Sequence, residues 1–108
     1  MVKSASSKKE KIECTNPNTG GRMQIDADIY NLFSTAIQHT LKGGKELTFT
    51  EMVEGIEDYI KSKKISFKKS AGWYGVTVKH DLQVRKIIEV YTEKGRKLHR
   101  LSKKVKVG

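Results

Sequence analysis

SAGWYGVTVKHDLQVRK, residues 70–86, runs directly into IIEVYTEKGRKLHRL, residues 87–101. Behind Ser70, a good N-cap, Ala71, Tyr74, Val78 and Leu82 recur at helical spacing, which predicts a helix from Ser70 to about Lys86 with those four on its core side. Trp73, Val76, Thr77, Lys79, His80 and Gln83 project largely the other way. That outer face is apolar for a surface, and it is where a recognition helix would meet a partner. Ile87 to Thr92 is β-branched and aromatic, as strands prefer. Glu93-Lys94-Gly95-Arg96 supplies a turn and Lys97 to Leu101 returns, so the segment reads as a hairpin.

Working back towards the start, Thr48-Phe49-Thr50-Glu51 has the spacing of a capping box and opens a second helix. Met52, Val53, Ile56, Tyr59 and Ile60 form its apolar face, with Glu51, Glu54, Glu57 and Asp58 outside. Gly55 disfavours that helix by about 1 kcal/mol relative to Ala, and it suits a close helix crossing. Lys61 to Lys69 is a basic connector carrying Ile65 and Phe67. Glu46-Leu47-Thr48 has room for only a short strand. Asp26 is positioned to cap a first helix, in which Ile29, Leu32, Phe33, Ala36, Ile37 and Leu41 make the stripe and Gly43-Gly44 the stop. Residues 12–25, dense in turn formers from Asn16 to Gly21, predict an extended arm with at most short strand pieces. Residues 1–11 and 103–108 read as basic tails, the first disordered. The order is helix, short strand, helix, helix, strand, turn, strand. It predicts one α+β, mainly α domain over 26–102, a winged helix-turn-helix of three helices plus a C-terminal β-hairpin wing.

Charge is segregated along the chain. Residues 1–60 hold seven Lys/Arg against nine Asp/Glu, net −2, and residues 61–108 hold fifteen against three, net +12, which together give the formal +10. Solubility needs no separation of signs, so a basic half on a near-neutral half is the footprint of a polyanion-binding face. In a helix-turn-helix the second helix enters the major groove by its N-terminal part. Lys68, Lys69 and Ser70 bring two cations and free backbone N–H groups to that helix start, which suits a phosphate. Thr77, Lys79, His80 and Gln83 are candidates for base edges or phosphates, with Tyr74 a donor wherever its ring tip is exposed. Trp73 is expected to pack against the wing or the first helix. Lys94, Arg96 and Lys97 crowd the wing tip. Double-stranded DNA is therefore the expected partner, with a transcriptional regulator as the matching role. The apolar Trp73/Val76 surface leaves open a protein-interaction module, including a homodimer in which the acidic second helix meets another copy's basic half. RNA has the same charge attraction but finds no stacking aromatics on a sheet.

Catalysis finds little support. His39, His80 and His99 fall on three separate elements, and no Cys or second His stands at metal-ligand spacing. His80 and Asp81 are neighbours on a helix, so their side chains diverge. Gly20-Gly21 and Gly43-Gly44 are not phosphate loops. The expectation is a non-enzyme with no metal and no cofactor. Cys14, the sole cysteine, can make no internal disulfide, and no apolar run is long enough for a signal or a membrane span, so the expected location is cytoplasmic.

Several of these stretches resemble a family of short, uncharacterised, mostly bacterial proteins with a winged-helix-like domain. The likeness rests on Asn16-Pro17-Asn18 with Gly21-Arg22, on Asp26-Ala27 with Tyr30, and on Leu47 through Met52. It is closest at Gly72-Trp73-Tyr74, Thr77-Val78, Asp81-Leu82 and Ile88. It covers nearly the whole chain after residue 11 and implies the fold, without an activity. The family pattern carries a Gly near position 86, where this chain has Lys.

Overall fold

The structure, a computed structural model, describes residues 10–102. Residues 1–9 and 103–108 of the two expected tails lie outside the described residues. The arm is a β-hairpin, with β1 over Lys11–Thr15 and β2 over Arg22–Asp26, antiparallel and in register from Lys11↔Asp26 to Thr15↔Arg22. Its turn closes because the Asn16 N–H donates to the Gly21 carbonyl (2.9 Å), the Asn16 side chain accepts from the Asn18 N–H (2.8 Å) and Gly20 takes φ +76°. Ile12 and Cys14 pair with Ile25 and Met23. This puts apolar residues on one face, where Cys14 and Ile25 are buried. Cys14 is thus a core residue and no part of a free arm.

Three helices follow: α1 over Ala27–Leu41, α2 over Phe49–Ser62 and α3 over Ala71–Val84. Asp26 does occupy the N-cap position of α1 but makes no capping bond, because its carboxylate accepts from Lys11 Nζ at 2.7 Å instead. That bond, before anything else, lowers the pKa of Asp26. The α1 stripe buries Tyr30, Phe33, Ala36, Ile37 and Leu41, with Ile29 and Leu32 packed at its margin. The capping box of α2 forms as its spacing requires: the Glu51 N–H donates to Thr48 Oγ1 (3.3 Å) and the Thr48 N–H to Glu51 Oε1 (2.9 Å). Met52, Ile56 and Ile60 are its buried residues. In α3 the buried apolar pair is Val78 and Leu82. Each such fully buried side chain stabilises the fold by about 1.5–3 kcal/mol relative to exposure.

Helix α3 ends at Val84, two residues before the expected limit. Lys86 takes φ +65°, its N–H donates to the Gln83 carbonyl (3.0 Å), and the Ile87 N–H reaches back to Leu82 (2.9 Å). These are the two bonds of a Schellman motif, whose C′ residue is normally Gly. Then β3 (Ile88–Glu93) and β4 (Arg96–Leu101) pair antiparallel from Ile88↔Leu101 to Glu93↔Arg96. Positive φ at both Lys94 (+55°) and Gly95 (+79°) makes the two-residue loop a type I′ turn. The result is an α+β arrangement of three helices and two two-stranded antiparallel sheets. Leu47, between α1 and α2, joins β4 through a single antiparallel bridge to His99, with backbone bonds of 3.0 and 2.7 Å.

The α1–α2 crossing depends on Gly55. A Cβ there would stand 2.3 Å from Thr40 Cγ2 on α1. Gly55→Ala is expected to forfeit its gain in helix propensity and cost about 1–3 kcal/mol through this overlap. Thr40→Ala should restore most of the loss, because the buried Thr40 Oγ1 has no hydrogen-bond partner to give up. Denaturant midpoints of the single and double variants check this, and a Gly55→Ala protein as stable as wild type would refute the crossing.

Candidate nucleic-acid interface

Helix α3 is gripped on two flanks by polar groups that its own sequence supplies. On one flank is Asp81, 2% exposed. Its carboxylate accepts from the Thr15 N–H of β1 (3.1 Å), from the Tyr30 hydroxyl of α1 (2.6 Å) and from Arg85 Nε one turn along α3. Arg85 also lies over the Tyr30 ring, 5.6 Å from its centroid. Burial, then the bond to Asp81, raises the pKa of Tyr30, so the phenol stays a donor. Burial likewise pushes the Cys14 thiol up to about 11, which leaves it unreactive at neutral pH.

The other flank is Lys79. Expected on the outer face, it is only 5% exposed. Its ammonium donates to His99 Nε2 (3.1 Å) and lies 5.9 Å from the centroid of the Phe49 ring. His99 Nδ1 is 3.0 Å from the Leu47 carbonyl, which can only accept, so the proton is on Nδ1 and Nε2 is free to receive Lys79. No carboxylate forms an ion pair with Lys79 among the described residues. Burial, and then the charge of Lys97, lowers its pKa to about 8. This burial removes Lys79 from any direct contact with a partner. Helical spacing points it outward, but the terminal hairpin closes over that side through His99.

The remaining candidates fall into three places. Lys68 and Lys69 are exposed at the α3 start, held there because Phe67 inserts edge-on against Phe33 (5.1 Å between centroids) and Tyr74 (5.6 Å). Ser70 caps α3, its Oγ accepting from the Trp73 N–H at 3.0 Å. Tyr74 is half-buried in that aromatic group, and Trp73 meets it edge-on at 4.8 Å. Trp73 remains 44% exposed, so it does not pack into the wing or α1 as expected. On the outward side of α3, Thr77 and His80 are half-buried beside the hairpin, where a cleft of ≈ 210 Å³ is lined by them with Cys14, Asn16, Arg22 and Met23. Thr77 Oγ1 donates to the Trp73 carbonyl (2.9 Å). Burial, then Lys79 and Lys97, lowers the pKa of His80, keeping it neutral at pH 7. Gln83 is half-buried. At the wing, Lys94, Arg96 and Lys97 are exposed. His80, Lys79 and Lys97 lie close enough to perturb one another, whereas Arg96 is near Glu51 at the α2 start. The outward strip Trp73, Val76, Thr77, His80, Gln83 and Val84 therefore carries no fixed cation.

Four cations missing from the expected set share the exposure of Lys68 and Lys69: Lys61, Lys63, Lys64 and Lys86. With Lys94, Arg96 and Lys97 they make nine of the ten exposed Lys and Arg between 61 and 97, Arg85 being the tenth. None of the nine forms an ion pair among the described residues, while Lys11, Arg22, Arg85 and Arg100 all do. The Lys61-Ser62-Lys63-Lys64 run was plain in the sequence. Glu57 and Asp58 stand one turn before Lys61 on α2, yet no ion pair forms with the run among the described residues, which only the fold reveals. Among the described residues no group of three or more His, Cys, Asp and Glu is placed to hold a metal, and no helix is long and apolar enough to cross a membrane.

The Lys79–His99 pair gives a pH signature. In the folded protein Lys79 titrates near 8, and in the unfolded chain near 10.5, so between these values the unfolded state binds more protons and stability rises with pH. Below about 8 the penalty is fully present. From pH 8 to 9 wild type should gain about 1 kcal/mol relative to Lys79→Met, read from denaturant curves of both proteins. Using the difference removes Cys14, whose raised pKa acts in the opposite sense above pH 9. Parallel pH dependences would show that Lys79 is not buried as described.

No curated protein and no solved structure matches this chain. A family model does match it over residues 11–98, from β1 through all three helices to the first half of β4, and the chain therefore belongs to that family of unknown function, DUF6958.

Proposed function

We propose that this protein binds double-stranded DNA through the start of α3 and the basic wing, in the manner of a winged helix-turn-helix regulator. One observation carries the proposal: nine of the ten exposed cations between residues 61 and 97 form no ion pair among the described residues. Such a charge excess repels itself in the free protein, and a polyanion relieves the repulsion while releasing its own condensed counterions. Support for the winged-helix reading comes from the Leu47–His99 bridge, which ties the segment between α1 and α2 to the terminal hairpin. Lys68 and Lys69 at the α3 N-terminus and Lys94, Arg96 and Lys97 on the wing supply phosphate contacts. Thr77, His80 and Gln83, neutral and outward, are the groups for base edges, with the hairpin turn alongside as a second edge facing the duplex. A protein partner is the competing reading. It is favoured by Trp73, Val84 and Met23, exposed by 44%, 41% and 45%.

Fluorescence anisotropy of a labelled duplex tests the choice. With about five phosphates neutralised, log K should fall against log salt with a slope of about −4.5. Charge reversal at Lys68/Lys69, or at Lys94/Arg96, should each weaken binding at least tenfold. Lys45→Glu, set in the groove with Glu51, Glu54 and Asp58, should change little. Absence of binding at about 50 mM salt refutes the proposal, and a partner complex that survives molar salt favours the apolar surface instead.

A further inference from the structure

Among the described residues, positive φ occurs at four glycines and at three other residues, Lys64 (+58°), Lys86 (+65°) and Lys94 (+55°). Asn and Asp tolerate this region best after Gly, yet every non-glycine found in it here is a lysine. The local geometry makes the preference for another residue explicit in each case. Lys64 and Lys86 are both C′ residues of Schellman motifs. The Lys64 N–H donates to Lys61 (2.9 Å) and the Ile65 N–H to Ile60 (3.2 Å), just as Lys86 and Ile87 donate to Gln83 and Leu82. Glycine is the residue that position favours. Lys94 is the first residue of a type I′ turn, where Asn before Gly is favoured. All three side chains are exposed, and none forms an ion pair among the described residues. Packing therefore does not repay the strain of a Cβ in the left-handed region.

What lysine brings to these positions and glycine does not is a positive charge on a long stem. A cation near a helix C-terminus does meet the helix dipole. Yet α2 already carries Lys61 in its last turn and Lys63 at its C-cap. Lys94 sits in a hairpin turn, where there is no helix dipole to meet. We infer that Lys64, Lys86 and Lys94 are phosphate-contacting residues, held at strained backbone positions because their charge is needed by a bound polyanion. Two of them, Lys64 and Lys86, add to the contacts at Lys68, Lys69 and the wing. They extend the contact set beyond both ends of α3 and steepen the expected wild-type salt slope from about −4.5 to about −6. The inference rests on the DNA-binding reading and specifies its site further.

The test substitutes Lys64→Gly, Lys86→Gly and Lys94→Asn one at a time, with Lys42→Ala as the control at an exposed lysine of φ −60°. Each of the three should raise the melting temperature by about 2–5 °C, since strain is relieved. Each should also make the salt slope for the labelled duplex shallower by about 0.9, the loss of one phosphate contact. Lys42→Ala should do neither. Variants that gain stability but keep the wild-type slope overturn the inference and leave DNA binding intact. Variants that lose stability overturn it by removing the strain it starts from. A wild-type protein that does not bind duplex takes both the reading and the inference with it.

Discussion

The terminal hairpin is tied to the rest of the fold most closely at His99, beside the buried Ile88 and the Arg100–Glu46 ion pair. A two-stranded hairpin is at best marginally stable in water without something to pack on. His99 supplies the attachment three times over: its backbone pairs with Leu47, its Nδ1 donates to the Leu47 carbonyl, and its Nε2 receives Lys79 from α3. Its ring is fully buried. The link to α3 ends in an ammonium, which is a costly group to bury without a carboxylate. A neutral donor would have been cheaper, so the geometry of the wing relative to α3 is bound up with a destabilising charge. Lys97, on the same strand and two residues away, deepens the cost.

Opposite that joint, Asp81 does for the N-terminal hairpin what Lys79 does for the wing. Positions 79 and 81 are about 200° apart around a helix, so α3 is held from nearly opposite sides. Val78 and Leu82 face the core between them. The arc left over is the strip from Trp73 through Val76, Thr77, His80 and Gln83 to Val84. Its lack of cations is a consequence of this arrangement, since the two charged side chains of the helix middle are both turned inward. Positive charge is displaced to the margins of α3 and to the wing. On the proposed reading this divides the labour: charged margins would hold a phosphate backbone and a neutral strip would meet what lies between them.

Period and caps were enough to locate all three helices. Thr48 with Glu51, and Ser70 ahead of α3, do what their spacing announces, because capping is decided within one turn. The terminal hairpin was legible for the same reason, its turn residues following directly on the β-branched and aromatic run Ile87 to Thr92. The first hairpin was not. Its strands are five residues each, and the alternation in KIECT and RMQID is too short to outweigh the turn-forming run between them. Asp26 looked like a cap, but Lys11 lies across the ladder from it and takes the carboxylate. Lys79 looked outward, but it is drawn inward by a histidine twenty residues further on. In each of these the deciding partner is distant in sequence, and no local pattern encodes it. The unpaired cations are a subtler instance: that nine of them form no ion pair among the described residues can be recognised only once the fold shows which acids are engaged elsewhere.

Several features of this half of the chain share one sign and one thermodynamic direction. A buried ammonium without a carboxylate, three lysines at left-handed backbone positions, and nine surface cations without ion pairs each subtract from stability, and all of them add or keep positive charge. Natural domains are only marginally stable, by about 5–15 kcal/mol, so such losses are not negligible. A sequence drifting under no demand other than folding would be expected to lose some of them, because substitutions to Gly, Asn or an acid at these positions are single steps towards greater stability. Their coincidence is what a polyanion partner would explain, since binding such a partner offsets the repulsion and restores by mass action what the free protein lacks. An apolar partner on the Trp73 strip would leave the strained lysines and the unpaired charge without a reason, and on that ground the electrostatic reading is preferred.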